Sequence, residues 1–486
     1  MPDHSRLLRL ASSAAHSEPR TLAARLSDTH VHISAEVDTH GVENALRTLV
    51  RNMRQLPIGL SVSVQTGSHP DIVSSLLDEL KAICRGVDAD RPLQATETPV
   101  GAIGVHLGTS PGRDTILAAV PDGHGARVRV NGDGFPADVK PASGLGSVLT
   151  AALVSAEVFK VVTGLSPESR SAMSSFDFCP VTLTDQVGLH HDPVLTLDGV
   201  ALLGCGAIGT AIALILSLLR TTGIITAVDP EQFDDPNLIT YSLGTDTDAR
   251  TRTAKTALVD RALLNVVVTP LDIDIQTYIE LIDKGKLPFP CVILNGLDTI
   301  EARHDAARLH ADLTLDGSTG GATGTTVGVR VAQYAGPCLR CFYPDVPATP
   351  TLADLTGLPP ELLRNGDAVV DDDLLAAADS AHRPRLERLK GQRVCALARL
   401  LTEDNDPDSF RPSASFVAQL AASLVVGALI AEQHGIDRHD SREVEFDALF
   451  GWNADAAQPR QPRHTCACQV DRDLILQVRN QRAQPR

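Results

Sequence analysis

The sequence predicts a doubly wound, mostly parallel α/β fold, and two observations carry the prediction. From Val200 onward, three short apolar runs at 200–204, 224–228 and 291–295 are separated by stretches of helical spacing. That alternation belongs to a parallel sheet with crossover helices. Directly after the run VALL, residues 204–209 read GCGAIG, a glycine turn that joins a Rossmann-like strand to the helix after it.

Composition sets the outer limits. At roughly 150 residues per domain, 486 residues make two or three domains. Apolar residues are 43% of the chain and aromatics only 3%, so Leu, Val, Ile and Ala must fill the core. A net charge of -17 argues against a broad nucleic-acid footprint, which needs a basic face. Residues 1–20 hold Arg6 and Arg9 but no continuous apolar core, unlike a secretory signal. Val200–Leu219 carries three glycines, and Phe416–Ala431 is broken by Gln419 and Ser423. Both read as buried core rather than membrane spans, and the expected compartment is the cytoplasm. Nine cysteines without a signal segment imply reduced thiols, and their pairing implies metal.

Residues 1–190 form an N-terminal α/β region without a phosphate loop. Val42–Met53 and 69–88 have helical spacing, whereas Ile58–Val64, Val100–Leu107 and Ile116–Val120 read as strands. Gly144–Gly164 is an Ala-rich helix and Asp185–Asp198 a polar linker. Residues 191–486 make the second domain. Within it, 345–410 is richer in Pro, Asp and Arg and reads as a crossover insertion. A last apolar helix spans Ser413–Glu432, and the basic tail after Asp471 is expected to fray. Residues 146–162 resemble 415–432. The chain is then two related halves, the first degenerate, or simply owns two buried Ala-rich helices. The N-terminal region is correspondingly a degenerate second half or a substrate-binding domain.

The glycines Gly204, Gly206 and Gly209 allow backbone N–H groups to approach a phosphate, and the helix that follows points its positive end at the same place. Asp229 ends the next strand, 20 residues after Gly209, where a carboxylate can hold ribose hydroxyls. Alone, this reads as a nucleotide site with NAD as the default. The stretches VDPEQFDDPNL (228–238), Lys255 and LNGLDTIEAR (294–303) then resemble the ThiF-type adenylyltransferases. That family includes the activators of sulfur-carrier proteins and the ubiquitin-activating enzymes. The resemblance covers residues 198–470, with 345–410 diverged. It implies ATP and Mg²⁺ as cofactors, with Asp229 on the ribose, Asn237 near the nucleotide, Lys255 on the phosphates and Asp298 helping to hold Mg²⁺.

Cys338 and Cys341 in GPCLRC, with Cys466 and Cys468 in HTCAC, make two thiolate pairs suited to a tetrahedral Zn²⁺ that clamps distant segments. The ThiF resemblance places a structural zinc here. The second pair departs from the family's C-x-x-C, and His464 could replace one thiolate. Cys395, in GQRVCALARLL, falls where thioester-forming members of the family keep a nucleophile. Arg393 beside it would lower its pKa, and a buried core cysteine is the competing reading. DTHVH (28–32) matches an amidohydrolase metal motif, but a full (β/α)₈ barrel does not fit ahead of the glycine loop. An alternating strand with exposed histidines is expected instead. His190–His191 read as a polar loop.

The expected activity is therefore ATP-dependent adenylation of a C-terminal carboxylate on a ubiquitin-like protein or peptide. Nucleic acid and membrane are excluded as partners, and the family's usual assembly is a homodimer or pseudo-dimer. Two alternatives stand beside it: a catalytically impaired scaffold, and an NAD-dependent oxidoreductase. The scaffold reading rests on Thr240, which stands where the family usually has a phosphate-binding arginine. Arg250 or Arg252 is expected to replace that charge, with Arg252 assigned to the nucleotide.

Overall fold

The computed structural model describes residues 4–483 apart from 16, 68–69, 95–99, 131–132, 166–174, 190–193, 322, 345–350, 404–413, 439 and 453. His190 and His191 lie outside the described residues. The chain opens with helices α1 (Ser5–Ala15) and α2 (Pro19–Asp28), then β1 (His30–Glu36), α3 (Val42–Gln55), β2 (Gly59–Gln65) and α4 (Pro70–Val87). Strands β3 (Ile103–Leu107), β4 (Leu117–Asp122) and β5 (Gly125–Val130) follow, then α5 (Gly144–Thr163) and β6 (Phe176–Phe178). A short ribbon of β7 (Leu195–Thr196) and β9 (Thr221–Thr222) brackets β8 (Val200–Leu203) and α6 (Ala207–Ser217).

Next come β10 (Ile224–Val228), α7 (Asp246–Thr251), α8 (Lys255–Ala262), β11 (Val267–Leu271), α9 (Ile275–Asp283), β12 (Val292–Asn295) and α10 (Ile300–Ala307). Strands β13 (Leu313–Gly320) and β14 (Thr326–Gln333) precede α11 (Leu339–Phe342). Five short helices, α12 (Leu352–Thr356), α13 (Pro360–Leu363), α14 (Asp372–Ala377), α15 (Arg383–Glu387) and α16 (Val394–Glu403), fill the diverged stretch. They gather their own apolar cluster around Leu358, Val370, Leu386 and Leu397. The chain ends with α17 (Ser415–His434), β15 (Glu443–Asp447), β16 (Ala457–Gln458), α18 (Ala467–Val470) and α19 (Arg472–Ala483).

Two sheets organise these elements. The first has the order β2-β1-β3-β4-β5-β6, and the second β11-β10-β8-β12-β13-β14-β15-β16. In the first, β2, β1, β3 and β4 are parallel while β5 and β6 run antiparallel. In the second, β10, β8, β12 and β13 are parallel while β14 and β15 run antiparallel. The same order and the same directions thus occur twice. Each time one long apolar helix, α5 or α17, lies in the chain between the two antiparallel strands. The similar stretches 146–162 and 415–432 thus hold equivalent positions in two topologically matching units.

Both helices are long and apolar enough to cross a membrane by composition, yet both are buried inside the protein. A helix apolar all round needs protein on every side. They meet in a continuous core to which both sheets contribute, with Phe159 of α5 and Phe416 of α17 at 5.5 Å between ring centroids. A polar knot crosses it. Asn52 of α3 donates to Gln419 at 2.7 Å and to Ser155 at 3.0 Å, and Gln419 donates to Ser242 at 3.2 Å. Buried amides paired in this way fix register where apolar packing alone would tolerate sliding.

The tail departs from expectation. Residues after Asp471 form α19, held by Arg479 on Asp312 and by Arg482 on Asp283. Positive charge that suggested fraying has found acidic partners far away in sequence.

Candidate active site and metal centre

Strand β8 is fully buried, and the chain turns sharply after Leu203. Gly204 has φ +82°, a conformation that L side chains rarely adopt, and a Cβ there would lie 2.9 Å from the Gly296 carbonyl carbon. At Gly209 a Cβ would lie 2.0 Å from the Gly204 carbonyl oxygen. Only glycine fits either place, so the loop is drawn tight and α6 starts immediately behind it. The loop also abuts Gly296, which brings the turn carrying Asp298 beside it. Asp298 itself is exposed.

Asp229 follows β10 and is buried. Its Oδ2 accepts from the Cys205 N–H at 2.7 Å and its Oδ1 from the Glu231 N–H at 2.9 Å. The carboxylate therefore anchors the glycine loop. Burial pushes its pKa up to about 6, against the pull of Lys255 and the two backbone donors.

Lys255 opens α8 and is 4% exposed. It pairs with Glu231, and its Nζ lies 5.3 Å from the Tyr241 ring centroid. Desolvation alone would lower its pKa. Tyr241, Asp229 and Glu231 overcome that and hold it protonated. Asn237 closes a one-turn helix at 235–237, its Oδ1 accepting from the Asp234 N–H at 3.0 Å. Thr240 is buried beneath this turn, 1% exposed. Behind the Asp298 turn, Asn295 and Arg303 both donate to Asp316, at 2.5 and 3.1 Å, and Arg303 also donates to the Asp298 carbonyl at 3.2 Å.

The structure thus gathers the three glycines, Asp229, Asn237, Lys255 and the Asp298 turn at one edge of the parallel strands. Of the two expected replacement arginines, Arg250 is exposed and paired to Asp246 at 2.7 Å, and Arg252 pairs with Asp367 at 2.7 Å, a carboxylate that Arg393 also approaches to 3.6 Å. Two further cations reach the carboxylates of the site. Arg6 of α1 and Arg393 beside α16 act on both Glu231 and Asp234, and Arg393 lies 3.7 Å from Asp234. Sequence reading missed Glu231, Arg6, Asp316 and Tyr241. Glu231 had a visible signal, since two residues past a strand-end aspartate it faces the same side. Arg6 had none, being more than 220 residues from its partners.

Cys395 sits in the first turn of α16, exposed, with Glu231, Asp367 and Asp234 among its electrostatic neighbours. Desolvation and these carboxylates push its thiol up, and Arg393 does not reverse them. The expected lowering by Arg393 is thus corrected. In the DTHVH stretch Asp28 ends α2, and His30 and His32 lie on β1, an inner strand, bonded to Ser61 at 2.9 and 2.8 Å. The strand is as expected, but its histidines are not exposed, because β2 covers them and His32 is buried.

The four sulfurs of Cys338, Cys341, Cys466 and Cys468 lie within 4.8 Å of one another. Three separations are 4.0 Å (338 to 341), 3.5 Å (338 to 466) and 3.5 Å (341 to 468). Zinc–sulfur bonds of about 2.3 Å in a tetrahedron put sulfurs about 3.8 Å apart, so the donor set fits Zn²⁺. His464 is not part of the cluster. The tight C-x-C bite closes because Cys466 ends a loop and Cys468 lies on α18.

A family model described as ThiF matches residues 186–468, more than half of the chain. The chain belongs to the ThiF family. A search of curated proteins finds no match. Similar solved structures include Escherichia coli MccB with succinimide, at 15% identity over 57% of this chain and 66% of that one, with a TM-score of 0.34. E. coli MccB with ATP matches at 12% identity over 73% and 97% of the two chains, TM-score 0.33. The match to the first of these spans just under two thirds of the MccB chain. The ThiF match starts near β7, so the first sheet lies outside it although it repeats the second sheet's strand order.

Proposed function

We propose that this ThiF-family protein uses ATP to adenylate a C-terminal carboxylate, on a peptide or on a ubiquitin-like protein. The observation that carries the reading is the junction of glycine loop, Asp229 and buried Lys255, with the Asp298 turn against the loop. In the reaction a carboxylate oxygen attacks the α-phosphorus, and the bond to the bridging oxygen of the departing pyrophosphate breaks. Backbone N–H groups at Gly204–Gly209 and the α6 end face the phosphates. Asp229 accepts from the ribose hydroxyls. Lys255, held protonated, supplies charge to the developing anion, with the phosphates competing against Glu231 for it. Asp298 would help hold Mg²⁺, which would screen the charge of the phosphates. Arg6, Arg393 and Arg252, which shares Asp367 with Arg393, are cations available where Thr240 offers none.

Residues 1–190 read as a degenerate second half rather than a separate substrate-binding domain, and 191–486 as the adenylation domain with its crossover insertion. The segment after β1 is VDTHG, residues 37–41, in place of GCGAIG, so the nucleotide site belongs to the second half alone. The first half then stands where a homodimeric relative would have its partner. The scaffold reading keeps one supporting observation, the uncharged Thr240. Calorimetry with ATP and with NAD, followed by ATP–pyrophosphate exchange against peptides and ubiquitin-like proteins with free C-termini, tests the proposal. ATP binding with substrate-dependent exchange supports it. ATP binding without exchange across the panel favours the scaffold, and NAD binding alone overturns both.

A further inference from the structure

Tyr241 follows Thr240 and is 6% exposed. Its ring meets Phe233 edge-on, with centroids 5.5 Å apart. Its hydroxyl oxygen lies 3.5 Å from where a Cβ on Gly206 would sit, at the middle glycine of the phosphate loop. The Lys255 ammonium lies over the same ring, its Nζ 5.3 Å from the centroid. The phenol carries one proton that it can donate. Burial pushes the phenol up to about 12 despite Lys255, so that proton is present at neutral pH.

The main chain of Tyr241 is fastened from the other half of the molecule. Its carbonyl accepts from Gln55 Nε2 at 2.9 Å and from Arg51 Nη2 at 3.3 Å. Gln55 also donates to the Leu238 carbonyl at 2.9 Å, and Arg51 to the Gly244 carbonyl at 2.7 Å. Both donors come from α3, and the carbonyls they hold bracket the turn that presents Tyr241.

We propose that the Tyr241 hydroxyl is a phosphate-contacting group, donating to an ATP phosphate oxygen at the glycine loop beside Lys255. Arg51 and Gln55 are positioning residues that act through it. The inference rests on the adenylation reading, because it needs ATP in this loop. A neutral donor here partly fills the place that Thr240 leaves, and it ties the nucleotide site to the half that carries no glycine loop of its own.

The test is calorimetry of the full chain with ATP and, separately, adenosine, which lacks phosphates. Tyr241→Phe keeps the ring on Phe233 and should leave the melting temperature unchanged. Its ATP affinity should fall roughly 10- to 100-fold, the range for a hydrogen bond to a charged group, with adenosine affinity unchanged. Gln55→Met should weaken ATP several-fold, again sparing adenosine, and Tyr241→Phe with Gln55→Met should be no weaker than Tyr241→Phe alone. A Tyr241→Phe protein that binds ATP like wild type, while Asp229→Asn loses adenosine, overturns the Tyr241 contact and leaves the nucleotide site standing. Additive losses in the double variant overturn the positioning role. Wild type that binds no ATP overturns this inference together with the adenylation reading.

Discussion

Removing the cysteine clamp is a quantitative test of how the C-terminal segment is held. Cys466→Ser takes one of four sulfurs from the cluster and should release the metal. Cys341 and Cys466 are 125 residues apart, but β14 and β15 already pair at Arg330 and Glu443. Strand β16 in turn pairs with β15 at Gln458 and Glu443, so the segment that the clamp alone closes is 11 residues on one side and 8 on the other, about 19 in all. Treating the tie as a cross-link, loop-closure entropy for about 19 residues is worth roughly 3 kcal/mol. At about 2.1 cal/mol/K per residue, this lowers the melting temperature by roughly 3 °C if the whole chain melts together, or about 5 °C if the ThiF part melts alone. Protein purified without chelator should contain about one zinc per chain, and both zinc and the melting increment should vanish in Cys466→Ser. Loss of zinc with an unchanged melting temperature would refute the clamp, and fresh protein without metal would refute the site.

Three further outcomes follow from the nucleotide site. With the Asp229 pKa at about 6, the carboxylate ionises as pH rises through that value. Its ionised form is the better acceptor for ribose, so adenosine affinity should climb roughly tenfold on passing about pH 6 and stay flat in Asp229→Asn. Gly209→Ala forces a Cβ to within 2.0 Å of the Gly204 oxygen. It should cost on the order of 3 kcal/mol in thermal stability and abolish ATP binding measured by calorimetry. If Cys395 forms a thioester, ATP and substrate should give a thiol-sensitive adduct lost in Cys395→Ala. Because the thiol is raised, adduct formation should quicken with increasing pH, and an adduct that survives the substitution would move the role elsewhere.

Much of this was legible in the sequence where the signal is local. The strands at 200–204, 224–228 and 291–295, the glycine loop and the Cys pairs all rest on short spacings, and each appears where the spacing put it. Charged pairs were harder. Strand β5 reads GARVRV, and its arginines point to a sheet face where Arg127 meets Asp122 and Asp177 at 2.6 Å, and Arg129 meets Asp177 at 2.6 Å. Asp122 is close by in the same hairpin, but nothing near the arginines in sequence announces Asp177. The same holds for Arg479 and Arg482 in the tail and for Arg6 at the opposite end. Charge was expected at Arg250 and Arg252 because they lie close to Lys255 in sequence. Arg250 turns out to Asp246, Arg252 shares Asp367 with Arg393, and a helix from the first residues brings Arg6 toward Glu231 and Asp234. Proximity along the chain is a fair guide to a loop and a poor one to an electrostatic site.

The shared core around α5 and α17 has a consequence for how such a protein changes over generations. In a homodimer every substitution is made twice, once in each subunit, so neither copy can lose its glycine loop without the other losing it too. Here the two matching units lie on one chain, and each can drift alone. The segment after β1 reads VDTHG in the first unit and GCGAIG stands in the second, so a substitution in that loop touches one unit alone. A change at the surface they share, Asn52 against Gln419 or Arg51 and Gln55 against the 238–244 turn, is felt by both.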